Sequence, residues 1–132
     1  MTKQEWMKQA IELASENERN HHGPPFGAIV VKDGEVIGTG VNEVLATNDP
    51  TNHAEIQAVR EACKTLNTTN LEGCEIYAST EPCPMCLSAI YLTRINTVYF
   101  SNPSNPSQDY VYNQLSLSHD NRDIQMVQLN NN

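Results

Sequence analysis

Basic residues are scarce in this chain: eight lysines and arginines stand against sixteen aspartates and glutamates among 132 residues, a formal net charge of −8 with a pI near 4.8. A protein that grips a phosphate backbone needs clustered positive charge, because neutralising phosphates and releasing their counterions supplies most of the affinity. The eight cations are scattered, so a nucleic-acid partner is not expected and a small neutral substrate fits better. Long apolar runs are missing too. None approaches the ~20 residues needed to span a bilayer, so no membrane partner is expected. The N-terminus, Met1-Thr2-Lys3-Gln4-Glu5-Trp6, is polar from the start and has no apolar h-region, which argues against a secretory signal and for a cytoplasmic protein. Only four cysteines occur, Cys63, Cys74, Cys83 and Cys86. A reducing compartment disfavours two disulfides among them, so the close pair reads first as metal-binding or redox-active.

What is present is an ordinary globular mix, 39% hydrophobic and 18% charged, enough for one domain over residues 1–132 and a single core. Trp6, Ala10, Leu13 and Ala14 recur at helical spacing, widened by Met7 and Ile11, and predict an amphipathic helix to about Asn20. His21-His22-Gly23-Pro24-Pro25 ends it. Strands are expected over 28–32 and 36–41, joined through Asp33-Gly34, a two-residue hairpin signal. A polar loop then leads to a helix over 53–66, a strand over 75–79, a helix over 84–94 and a strand over 97–101. After the loop at 102–107, residues 110–117 read as helical and 124–129 as a last strand. A hairpin followed by helix–strand–helix–strand predicts an α/β fold, a mixed central sheet covered by helices on both faces. Right-handed crossovers bring the starts of the 53–66 and 84–94 helices to one sheet edge.

The chemistry sits at those two starts. One is His53-Ala54-Glu55; the other is Thr80-Glu81-Pro82-Cys83-Pro84-Met85-Cys86. Cys83 and Cys86, three apart, share a helix face. Pro84 suits a first turn, where its missing N–H is not needed. The positive end of the helix favours thiolate, the form that zinc binds. With His53 the ligands number three, which leaves one tetrahedral position open, the mark of a catalytic zinc that activates water near neutral pH. Glu55 falls in register with Val59, Ala62 and Leu66 on an apolar stripe. Desolvation there raises a carboxyl pKa toward the range useful for moving protons. Three other readings compete. Glu55 could complete a capping box with Asn52; Cys83-x-x-Cys86 could be a thioredoxin-like redox pair; and Cys74 could close a four-ligand structural zinc, making the protein a non-catalytic module. Cys63, in line with Ile56, Val59 and Leu66, reads as core.

Together His53-x-Glu55 and Pro82-Cys83-x-x-Cys86, with Pro25-Phe26-Gly27-Ala28 and Asn42 eleven residues before His53, resemble the cytidine deaminase-like superfamily of zinc-dependent deaminases. The resemblance runs to about Ser101. It implies a three-layer α/β/α sandwich with a mixed sheet, one Zn2+ per chain held by His53, Cys83 and Cys86, and Glu55 as the proton shuttle. Glu55 would protonate a ring nitrogen, activated water would attack the amino-bearing carbon, and Glu55 would return a proton to departing ammonia. Ala54 would offer its backbone N–H to substrate, Asn42 its side-chain amide, and Phe26 would line the pocket. Glu81-Pro82-Cys83-Pro84-Met85-Cys86-Leu87 and Pro25-Phe26-Gly27 look closest to bacterial guanine deaminases, which implies hydrolysis of guanine to xanthine plus ammonia. In those enzymes an acidic residue in the later loop recognises the base, and Asp109 or Tyr110 stands in that place. Cytosine or a nucleoside is the alternative substrate, as is a tRNA adenosine, because Asn48-Asp49-Pro50-Thr51-x-His53-Ala54-Glu55 is shared with tRNA adenosine deaminases. Family members commonly dimerise, so a homodimer is expected.

Overall fold

The computed structural model of the chain describes residues 1–131. Helix α1, Lys3–His21, starts in a capping box: Thr2 Oγ1 accepts from the Glu5 N–H at 3.1 Å, and Glu5 Oε1 accepts from the Thr2 N–H at 3.3 Å. Its buried face is Trp6, Ala10, Ala14 and Asn17. The stripe is narrower than the sequence suggests, for Ile11 faces solvent. Strands β1 (Gly27–Lys32) and β2 (Glu35–Val41) form the expected hairpin. Asp33 and Gly34 both take positive φ, 50° and 78°, the mirror-image turn that matches strand twist. The short helix α2 (Val44–Thr47) interrupts the loop before α3 (Ala54–Leu66). Then come β3 (Glu75–Thr80), α4 (Pro84–Leu92) and β4 (Thr97–Asn102). A 3-10 turn at Pro106–Gln108 leads into α5 (Asp109–Ser116).

The sheet order is β2-β1-β3-β4. β1 runs antiparallel to both neighbours, and β3 pairs with β4 in parallel. Alternation along each strand divides the core in two. Ala28, Val30 and Ile76 face α3 and α4, whereas Ile29, Val31 and Tyr77 face Trp6 and Ala10 of α1. Each buried valine or isoleucine among them contributes roughly 1.5–3 kcal/mol. The result is the expected three-layer sandwich, with α1 on one face of the sheet and α3 and α4 on the other. The expected strand over 124–129 does not form: those residues are exposed and join no strand of the sheet. Alternating apolar residues become a strand only against a free sheet edge, and the chain has left the sheet after β4. Among the described residues no helix is long and apolar enough to cross a membrane.

Helix α3 is seated by backbone contact. Ala54, Ala58 and Ala62 recur every four residues and lie on Gly38 and Gly40 of β2. A Cβ on Gly40 would meet the Ala54 carbonyl oxygen at 2.1 Å, and one on Gly38 the Ala58 carbonyl at 2.2 Å. Gly40→Ala is therefore expected to push the start of α3 off the sheet, at a cost of about 1–3 kcal/mol from overpacking. Thermal denaturation checks it; an unchanged melting temperature would show that the helix seat is loose.

Candidate metal and catalytic site

Strand direction explains why the candidate residues meet. β2, β3 and β4 all point the same way, so their carboxyl ends share one edge of the sheet. Gly27 pairs with Val41, Ala28 with Ala78, and Thr80 with Asn102. Phe26 enters at that edge, Asn42 leaves β2 there, and both α3 and α4 begin above it. Carboxyl edges of parallel strands are where open α/β sheets hold ligands.

His53 is the N-cap of α3 and Cys83 the N-cap of α4. His53 Nδ1 lies 3.6 Å from Cys83 Sγ and 3.4 Å from Cys86 Sγ. The three ligand atoms all fall within 4.8 Å of one another. One imidazole nitrogen and two thiols at that separation suit Zn2+ bound tetrahedrally, with the fourth position left to water or substrate. The thiols are electrostatically unequal. A hydrogen bond from Cys86 lowers the Cys83 pKa to about 4, and that same bond, with burial, raises Cys86. The bond with Cys83 also raises the His53 pKa. The thiolate form is thus favoured at Cys83, at the start of α4.

Glu55 stands two residues into the same start, only 8% exposed, with Val59 and Ala62 buried along its helix face. Burial pushes its pKa up, reinforced by the negative charge at Cys83. Among the described residues, neither the capping box nor a fourth thiol ligand forms. The cap of α3 is His53, and the Asn52 side chain bonds Gln57 and Thr47 rather than Glu55. Cys74 is buried in the core at the entrance to β3, about 20 Å along that strand from its carboxyl end at ~3.3 Å per residue. It is not among the clustered ligand groups of the described residues.

A cavity of about 250 Å³ opens above these groups, lined by Phe26, Asn42, His53, Glu55 and Cys83 among others. Val44 N–H donates to Asn42 Oδ1 at 3.0 Å. A backbone N–H can only donate, so the oxygen is fixed and Asn42 Nδ2 is left to meet an acceptor. Ala54 is fully buried at the first position of α3, where helix N–H groups lack intrahelical partners. Asp109 is exposed at the start of α5, outside the lining residues, and the wall there is made by its neighbour Gln108.

Sequence reasoning missed Thr80, Glu81, Ser104, Asn105 and Gln108, which complete the wall. Glu81 ties this wall down: its N–H donates to the Asn102 carbonyl at 2.8 Å and its Oε1 accepts from the Ser104 N–H at 3.1 Å. Its place beside Pro82-Cys83 was the available signal. A second missed network fixes the loop between β2 and α3. Gln57 Nε2 donates to Glu43 Oε1 at 2.7 Å and Asn52 Oδ1 at 2.9 Å, while Gln57 Oε1 accepts from the Val41 N–H.

The topology and donor set define an α/β/α domain with a three-residue zinc-binding site. Residues 1–102 match the family model for the cytidine and deoxycytidylate deaminase zinc-binding region, and the chain belongs to that family. It is 48% identical over 101 residues to a guanine deaminase of Bacillus subtilis (strain 168), covering 76% of this chain and 65% of that protein. It is 54% identical over 77 residues to a tRNA-specific adenosine deaminase of Aquifex aeolicus (strain VF5), covering 58% of this chain and 51% of that one. The chain thus spans less than two thirds of the length of these relatives. The X-ray structure of guanine deaminase from Bacillus subtilis superposes with a TM-score of 0.92 at 38% identity, over 98% of this chain and 87% of that one.

Proposed function

We propose that the protein is a zinc-dependent hydrolytic deaminase of a free nucleobase, guanine first, releasing xanthine and ammonia. The carrying observation is the convergence of His53 Nδ1, Cys83 Sγ and Cys86 Sγ with buried Glu55 on one small cavity. Bound zinc supplies Lewis acidity that makes water nucleophilic near neutral pH. Glu55 would accept the proton that water gives up and place it on a ring nitrogen of the base; it would then take the proton of the newly added hydroxyl and pass it to the amine, which leaves as ammonia while that hydroxyl becomes the product carbonyl. A carboxyl whose pKa is raised by burial suits both directions of transfer. Phe26 offers its ring to the face of the base, and Asn42 Nδ2 and the Ala54 N–H donate to its acceptors.

A free base is favoured by the cavity, which lies below the ~300–1,000 Å³ typical of sites for drug-sized ligands, and by the net charge of −8. The similarity to the Bacillus subtilis guanine deaminase along 98% of the chain supports guanine. The proposal includes a cytoplasmic setting, whose reducing conditions keep Cys83 and Cys86 available as ligands, and a homodimer. Tyr91 and Leu92 on α4 are 74% and 84% exposed, the kind of apolar surface that a second copy covers. The competing reading, a tRNA adenosine deaminase, draws on the relative in Aquifex aeolicus.

The test is ammonia release by the zinc-loaded protein from guanine, cytosine, adenine, their nucleosides and a tRNA anticodon stem-loop. Guanine is expected to exceed every other substrate by at least about 100-fold in kcat/KM, because a site that hydrogen-bonds a base rejects analogues that leave its polar groups unpaired. Turnover of the stem-loop alone would replace this reading with the tRNA one.

A further inference from the structure

Helix α1 contributes no residue to the zinc or proton chemistry and lies on the opposite face of the sheet from α3 and α4. Yet it carries one buried amide at the end of its apolar face. Asn17 is 2% exposed, and its Nδ2 donates to the Pro24 carbonyl and to the Asn42 carbonyl, both at 2.9 Å. Both partners are acceptors, so the nitrogen, not the oxygen, must face them. Between those carbonyls the chain closes on itself. The Phe26 N–H donates to the Pro24 carbonyl at 2.8 Å, and the Asn42 N–H to the Phe26 carbonyl at 3.2 Å.

We propose that Asn17 is a positioning residue for substrate binding, its amide clamping together the two backbone segments that carry Phe26 and Asn42. A residue whose only task was to fill the α1 face would be apolar, as Trp6, Ala10 and Ala14 are, because burying an amide is unfavourable unless its hydrogen bonds are made. Gly23 is fitted to the same clamp. A Cβ there would meet Asn17 Nδ2 at 2.5 Å and Cγ at 3.0 Å, and the Gly23 N–H donates to the Asn17 carbonyl at 3.1 Å. The glycine φ is not left-handed, so it serves for space and not for conformation. The inference rests on the reading above that Phe26 and Asn42 touch the base.

Asn17→Ala and Gly23→Ala, measured with guanine in the zinc-loaded protein, test it. Each is expected to raise KM about tenfold, the scale of one or two lost hydrogen bonds, with kcat within about threefold and zinc content unchanged. Hydrogen exchange at the Phe26 and Asn42 amides should quicken in both. The double variant should be no worse than Asn17→Ala alone, since the added methyl then has no amide to strike. An unchanged KM, or a fall in kcat at constant KM, overturns the positioning role; unchanged exchange overturns the clamp itself. Gly23→Ala keeps the amide and gives these same readings should Asn17→Ala not fold. A wild-type protein that deaminates no base defeats the functional reading, while the exchange measurement still decides whether Asn17 holds the two segments.

Discussion

Glu55→Gln is expected to lower kcat by about two to four orders of magnitude, the usual contribution of a positioned proton-transfer group, while KM stays within a few-fold and zinc remains bound. The substitution keeps the shape that packs beside Val59 and Ala62 but cannot accept and return a proton. Melting temperature should hold or rise, because burial already disfavours the carboxylate and a neutral amide is less costly to desolvate. Glu55→Asp separates chemistry from reach. It retains the acid but draws it back by about one methylene, and a misplacement near 1 Å costs on the order of 100-fold. Steady-state kinetics beside metal analysis gives all of these readings. Full activity in Glu55→Gln would remove the proton-shuttle role, and loss of zinc in that variant would show that the carboxylate supports the metal instead.

Glu55 was open to sequence reasoning because its signal is periodic. Its spacing to Val59, Ala62 and Leu66 describes a helix face, and the structure buries that face except at its end. The metal ligands were open for a related reason: two helix starts that follow strands of the same direction must come out at the same edge. Periodicity says nothing of contacts between irregular segments. The wall formed by Ser104, Asn105 and Gln108 depends on where a loop folds back after β4, which Glu81 determines through two hydrogen bonds across the sheet edge. Asn17 was hidden for the opposite reason. It sits in helical register with Ala10 and Ala14, where a polar residue reads as the close of an apolar stripe. Only the arrival of Pro24 and Asn42 from elsewhere in the chain reveals its partners. The alternation at 124–129 misled because it reports side-chain spacing and not the presence of a neighbouring strand. The same distinction applies after β4. Extending the alignment to the Bacillus subtilis enzyme from 101 residues to 98% of the chain lowers identity from 48% to 38%. The segment after β4 therefore keeps its path better than its residues.

Cys86→Ala is expected to abolish both zinc binding and deamination, with activity falling at least about 1,000-fold, whereas Cys74→Ala should retain both. Cys86 is fully buried and faces His53 Nδ1 at 3.4 Å, so removing its thiol leaves only His53 and Cys83, too few to hold the ion in a tetrahedral site. Zinc that binds only the folded chain stabilises it by linkage. Cys86→Ala, and the wild type after chelation, should therefore melt at a lower temperature than the zinc-loaded protein, and added zinc should restore only the wild type. Cys74 is equally buried, but its neighbours are Leu71, Ile76 and the rest of the core. Losing its sulfur leaves a small void and costs stability without touching the metal. Metal analysis and calorimetry on the two variants distinguish an open three-ligand site from a closed four-ligand one. If Cys74→Ala also lost its zinc, the fourth position would belong to the protein, and no place would remain there for water to attack the base.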